Sequence, residues 1–201
     1  MFRNLFKPDS ALLITMNWIT DCIFLSLFWL LGCFGIVTAG ASTAALYDAA
    51  FRTYRQQEKN SWQRFLHVFR SNLKAGLVPT LLFLAALWGL LKGGIALWNM
   101  AAAGNLPWAL FAAGALLAVL GLGVLSVLFP LLSRFENSLG ALLKNTLLLA
   151  LANLPRTLAL GVLNAAALFL CVRFVFPLFF LPALASLLGS LLLEPMFKPY
   201  M

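Results

Sequence analysis

From Leu106 to Leu132 the chain runs for 27 residues without one ionisable side chain. A helix needs about 20 mostly apolar residues to cross the hydrocarbon of a bilayer. Three more stretches approach that length: Asn17 to Val37, Leu77 to Trp98 and Phe174 to Leu193. A fifth, Thr157 to Val172, is shorter but can borrow apolar residues from Asn145 to Leu154. The reading is an all-α polytopic membrane helical bundle, one integral membrane domain over residues 1–201. It has five transmembrane helices (17–37, 77–98, 106–132, 157–172 and 174–193) plus an amphipathic cytoplasmic helix. A soluble domain fails on charge: 10% of the 201 residues are charged, against roughly 25% in soluble domains. With 63% hydrophobic residues, a disordered chain is excluded too.

Lys and Arg are retained on the cytoplasmic side of a membrane. The connection 52–76 carries Arg52, Arg55, Lys59, Arg64, Arg70 and Lys74, and the connection 133–156 carries Arg134, Lys144 and Arg156. Both are therefore expected inside, with Lys198. Five spans then put Arg3, Lys7 and Arg173 outside, while Lys92 falls within the second span. The net charge of +8 is scattered between apolar stretches, so it reads as this bias and not as a nucleic-acid footprint. Two other arrangements compete at the N-terminal side. A cleaved signal peptide, with Cys22 to Val37 as its apolar region and Ala39 to Ala41 as the cleavage site, would push the six-cation connection outside. A short returning segment from Gly40 to Phe51 would bring the N-terminus inside and leave only Arg173 outside. Its dozen residues are few for a span but suffice for a helix buried in protein.

Within 52–76, Trp62, Phe65, Leu66, Phe69 and Leu73 share one helical face. Arg64, His67, Arg70 and Lys74 occupy much of the remainder. This pattern predicts an interfacial helix, aromatics toward acyl chains and cations toward anionic headgroups. The plainer reading packs the same face under the bundle.

No catalytic constellation is present: His67 is the only histidine, and the six acidic residues are spread along the chain. An enzyme is not expected, nor a cofactor. Cys22, Cys33 and Cys171 lack metal-ligand spacing, so no metal is expected either. Ionisable residues within spans are functional suspects because each costs about 2.5–3.5 kcal/mol at mid-helix. Asn17 and Asp21 lie four apart on the first span, Lys92 sits between Gly89 and Gly93 on the second, and Asn164 lies on the fourth. Together they form a candidate substrate or ion path, against the reading that Asp21 is interfacial, Lys92 snorkels and the glycines allow helix contact.

The stretch Gly35-Ile-Val-Thr-Ala-Gly-Ala-Ser-Thr-Ala-Ala-Leu-Tyr47-Asp48 follows an apolar span with Trp29 and precedes the basic segment with Trp62, Phe65 and Phe69. Near the C-terminus come Asn145-Thr146, Asn153-Leu-Pro155 and the close Glu194-Pro-Met-Phe-Lys-Pro-Tyr200. This order resembles the YesL-like family of small bacterial integral membrane proteins, with Gly35, Thr38, Gly40, Thr43, Ala44 and Tyr47 as its motif positions. Ala41 stands where the family often has Pro. The biochemical activity of that family is not established, but its members are typically encoded beside sugar ABC importers. The resemblance implies a multi-pass protein of the bacterial cell membrane with a role in carbohydrate uptake. Physically, Gly35 and Gly40 allow a sharp change of direction, and the small residues after Gly40 permit close helix approach.

ABC permeases dock onto their ATPase through a cytoplasmic loop of the form E-A-A-x3-G-x9-I-x-L-P. Glu136, Leu154 and Pro155 match that spacing, whereas Asn137, Ser138, Leu142 and Ala152 depart from it. The expectation is an accessory protein of carbohydrate uptake that acts through protein contacts. The alternatives are a permease-like subunit forming part of a translocation path, and a membrane scaffold or regulatory protein. Expected partners are the lipid bilayer, components of a sugar ABC importer and further copies of the chain, with no nucleic acid.

Overall fold

The computed structural model describes residues 11–56, 58, 60–104, 107–135 and 138–198. Among them the fold is all helix: α1 (Ala11–Cys33), α2 (Ala39–Arg55), α3 (Ser61–Ala102), α4 (Trp108–Arg134), α5 (Leu139–Ala152), α6 (Leu154–Arg173) and α7 (Leu181–Phe197). Four of them, α1, α3, α4 and α6, are long and apolar enough to cross a membrane. The expected fifth span, 174–193, is instead a 3-10 turn at Phe176–Phe179 followed by α7, only 17 residues long.

Six helices form three antiparallel hairpins. In the first, the Tyr54 hydroxyl donates to the Trp18 carbonyl and the Trp29 indole donates to Thr43. Residues near the start of α1 therefore face the end of α2. In the second, Phe83 packs on Phe129 near one end and Trp98 on Phe111 near the other. In the third, Gly189 of α7 faces Leu160 of α6. One end of the bundle gathers the start of α1, the end of α2, the start of α3 and the ends of α4 and α7. Ser61 donates to Asp21 there, and Arg134 reaches both Phe51 and Glu194.

The segment 40–51 turns back along α1 and lies at the centre of the fold. Residues 40–51 belong to α2, which is buried along nearly its whole length between α1, α3, α4 and α7. Small side chains make this possible: Ala41, Ala44, Ala45, Ala49 and Ala50 are all at most 1% exposed. Gly40 marks the tightest approach, since a Cβ there would strike Thr80 and Phe129.

Two expectations about residues 52–76 are overturned. That segment is not a loop carrying a separate amphipathic helix, because α3 runs unbroken for 42 residues through Gly76 and Pro79. Most of its apolar face packs inward: Phe65 is buried and Leu66, Phe69 and Leu73 are half-buried, while Trp62 stays 48% exposed. Phe65 stacks between Phe28 and Phe69. Burying these rings against α1 and α2 removes them from water and lipid together, and leaves His67, Arg70 and Lys74 as the exposed stripe. The N-terminal part of α3 is thus a wall of the bundle.

Candidate functional site

Two features stand out, an ionic network at the end of the bundle where α2, α4 and α7 finish, the basic end, and a cavity between the helices. The network begins at Asp48, 1% exposed, whose carboxylate accepts from Arg52 Nε at 3.2 Å and Arg64 Nε at 2.6 Å. Arg52 also reaches Glu58 at 3.1 Å. Alongside it, Glu194 accepts from the Tyr47 hydroxyl at 2.9 Å and from Arg134 Nη2 at 2.5 Å. The Arg134 guanidinium also lies over the Phe51 ring, 4.2 Å from its centroid. These contacts tie α2 to α3, α4 and α7. A buried carboxylate persists only when paired and hydrogen-bonded, and Asp48 satisfies both conditions.

The cavity, about 330 Å³, lies between α1, α2, α3, α4, α6 and α7. Among the described residues its wall contains no Asp, Glu, Lys, Arg or His. Polar atoms enter it at a few places, chiefly Thr43, Tyr47, Ser126, Asn164 and Ser186. Most of these hydroxyls are already committed. Thr43 donates to the Ala39 carbonyl and accepts from Trp29, Ser126 donates to the Leu122 carbonyl, and Tyr47 donates to Glu194.

Of the proposed path residues, the structure brings only Asn164 to the cavity, where its amide donates to Ser126 at 3.0 Å. Asn17 is exposed on α1. Asp21 is occupied by Ser61 at 2.8 Å, at the basic end. Lys92 is exposed beside Trp88, its ammonium 5.7 Å from the ring centroid. It follows Ser61 by 31 positions of α3, so roughly 45 Å of helix separates it from the Asp21 contact. These residues do not form one path. Nor do Gly89 and Gly93 meet a neighbouring helix, for a Cβ at either would face open space. The close glycine contact lies elsewhere, at the crossing of α4 and α6. A Cβ at Gly123 would strike the Thr157 carbonyl, and one at Gly161 would strike that of Val119.

The motif positions work as packing. Thr38 donates to the carbonyls of Gly32 and Gly35, both at 2.6 Å, and holds the turn between α1 and α2. Ala44 is fully buried, and Thr43 and Tyr47 make the bonds given above. In the docking candidate, Glu136 lies outside the described residues. Leu154 and Pro155 are exposed at the first turn of α6. Helix α5 buries Leu142, Thr146, Leu149 and Ala150 and leaves Leu143, Leu147, Leu148 and Leu151 exposed. Sequence reasoning missed Asp48, Arg52, Arg64, Arg134 and Glu194 as a set. The spacing of Asp48 and Arg52 was the one local signal, an i,i+4 pair on a helix.

The family described as "Protein of unknown function, DUF624", which is the YesL-like family, matches residues 22–92. The match takes in the second half of α1, all of α2 and the greater part of α3, including the Gly35–Asp48 motif. No curated protein and no solved structure matches the chain.

Proposed function

We propose that this chain is an accessory protein of bacterial carbohydrate uptake that resides in the cell membrane and acts by contact with an importer. The observation that carries the contact reading is the character of the cavity wall, which offers no charged group and few free hydrogen-bonding groups. A sugar crossing such a wall would lose its hydration without replacement, at a cost that grows with each hydroxyl. The charged side chains of the network are held in fixed pairs at the basic end and leave no relay along the bundle. The carbohydrate context comes from the family resemblance.

The contact surface we favour is α5 with the start of α6. Its exposed leucines, with Lys144 and Pro155, present an apolar face bordered by polar groups at the basic end. The protein, purified in mild detergent from its native membrane, should carry importer subunits identifiable by mass spectrometry. Leu147→Ala with Leu151→Ala should lower that recovery severalfold at unchanged protein abundance. If the wild-type protein repeatedly recovers no importer subunit, the reading falls.

The same reading places the basic end in the cytoplasm. The three hairpins then return both described ends of the chain to that side and leave Lys92 and Arg173 as the outlying cations among the described residues, in keeping with the retention of Lys and Arg. Single cysteines at Gln63, Ser138 and Ala103, each in a background lacking Cys22, Cys33 and Cys171, test this. An impermeant thiol reagent on intact cells should label only position 103, and labelling at 63 would reverse the orientation.

A further inference from the structure

The central cavity has two polar groups that the fold does not use. The Asn164 amide nitrogen donates to Ser126 and to the Leu160 carbonyl, both at 3.0 Å. Its carbonyl oxygen receives no hydrogen bond from any described residue. Ser186, on α7, likewise has no hydrogen-bond partner among the described residues, although neighbouring hydroxyls such as Ser190 bond back to their own helix. Helices α6 and α7 are antiparallel with Gly189 opposite Leu160. One turn further along, Asn164 is therefore set beside Ser186 across the same part of the wall. An acceptor and a hydroxyl without partners among the described residues thus line one cavity, whose other hydroxyls, Thr43, Tyr47 and Ser126, are already bonded within the fold.

We infer that this cavity binds a single-chain amphiphile with a small neutral head that donates a hydrogen bond, a hydroxyl or an amide. The volume, about 330 Å³, is at the lower end of the roughly 300–1,000 Å³ of ligand pockets, which suits one chain and not two. A charged head is disfavoured, because no side chain in the wall would neutralise it and burial of an unpaired charge is expensive. The route of entry is lateral. Leu168 lines the cavity and is 49% exposed, and the surface around it on α6 and the following turn is apolar, with Phe169, Val172 and Phe176 all exposed. The inference is independent of the importer contact, which uses α5 and the opposite end of α6.

The test uses the full chain in phosphatidylcholine nanodiscs with a diazirine-bearing dodecanol as the probe. Irradiation should crosslink residues of the cavity wall on α4, α6 and α7, mapped by peptide mass spectrometry. Unlabelled 1-dodecanol should compete about fivefold more effectively than n-dodecane, the factor that one net hydrogen bond supplies. Ser186→Ala breaks no bond within the fold and should remove most of that advantage, and Asn164→Ala should do the same. Crosslinks spread only over the lipid-facing surface would overturn the site. Equal competition by the alcohol and the alkane would reduce it to a gap filled by any acyl chain, which also overturns the inference. So would an advantage that survives both substitutions.

Discussion

Replacing Asp48 by alanine is expected to cost about 3 kcal/mol of stability, read as a lowered unfolding midpoint in detergent followed by circular dichroism. Removing one partner of a buried ion pair typically costs about 3–5 kcal/mol, because the remaining charge is left without compensation. Here Arg64 loses its carboxylate while Arg52 keeps Glu58, and their side chains are 32% and 30% exposed. They can rehydrate in part, which sets the expectation at the lower end. The loss is mainly a penalty of stranding Arg64. Replacing all three residues together, Asp48→Leu with Arg52→Met and Arg64→Met, should therefore recover much of it. A midpoint for Asp48→Ala equal to that of the wild type would show that the Asp48 pairs contribute nothing to holding α2.

A comparable loss is expected from one methyl group at the crossing of α4 and α6. Gly161→Ala places its Cβ against the Val119 carbonyl, and the obstacle is main chain, which cannot rotate aside. The two helices must separate, and the Asn164–Ser126 bond beside the crossing is strained with them. Overpacking of this kind costs about 1–3 kcal/mol, occasionally more, and the upper figure is expected here because the reciprocal contact at Gly123 is lost at the same time. Gly189→Ala is the matched control. Its nearest neighbour would be a Leu160 methyl at 3.6 Å, an ordinary contact, so its midpoint should stay close to the wild type. Equal midpoints for Gly161→Ala and Gly189→Ala would rule out the crossing as a point of close packing.

The class of the fold was legible because uncharged runs such as Leu106 to Leu132 have few ways to satisfy their backbone outside a helix in lipid. Helix α4 (Trp108–Arg134) matches that run closely. The continuity of α3 was not legible. Arg64, Arg70 and Lys74 mark a change of solvent, which in a sequence resembles an end of structure. Helical hydrogen bonding is indifferent to that boundary, and even Pro79 is accommodated inside the helix, where it is buried. The role of α2 was half visible: its small residues announced close approach, while its length argued against a crossing. Of the cavity, Asn164 was singled out from sequence because a polar side chain stands out in an apolar span. Ser186 did not stand out, since serine is unremarkable on a membrane helix. The bond between Tyr47 and Glu194 joins residues 147 positions apart, and no local pattern encodes such a pairing.

The burial of α2 has a consequence for biogenesis. With Asp48, Arg52 and Arg55 in 17 residues, this segment is too short and too polar to partition into lipid by itself as it leaves the ribosome. Its surroundings are supplied piecemeal: α1 precedes it, α3 and α4 follow, and Glu194, which Tyr47 and Arg134 both engage, arrives only with α7. Until then the nascent protein holds the most polar of its helices incompletely enclosed. Maturation is therefore tied to the synthesis of α7, and chains stalled before it are the ones a membrane quality-control protease should recognise.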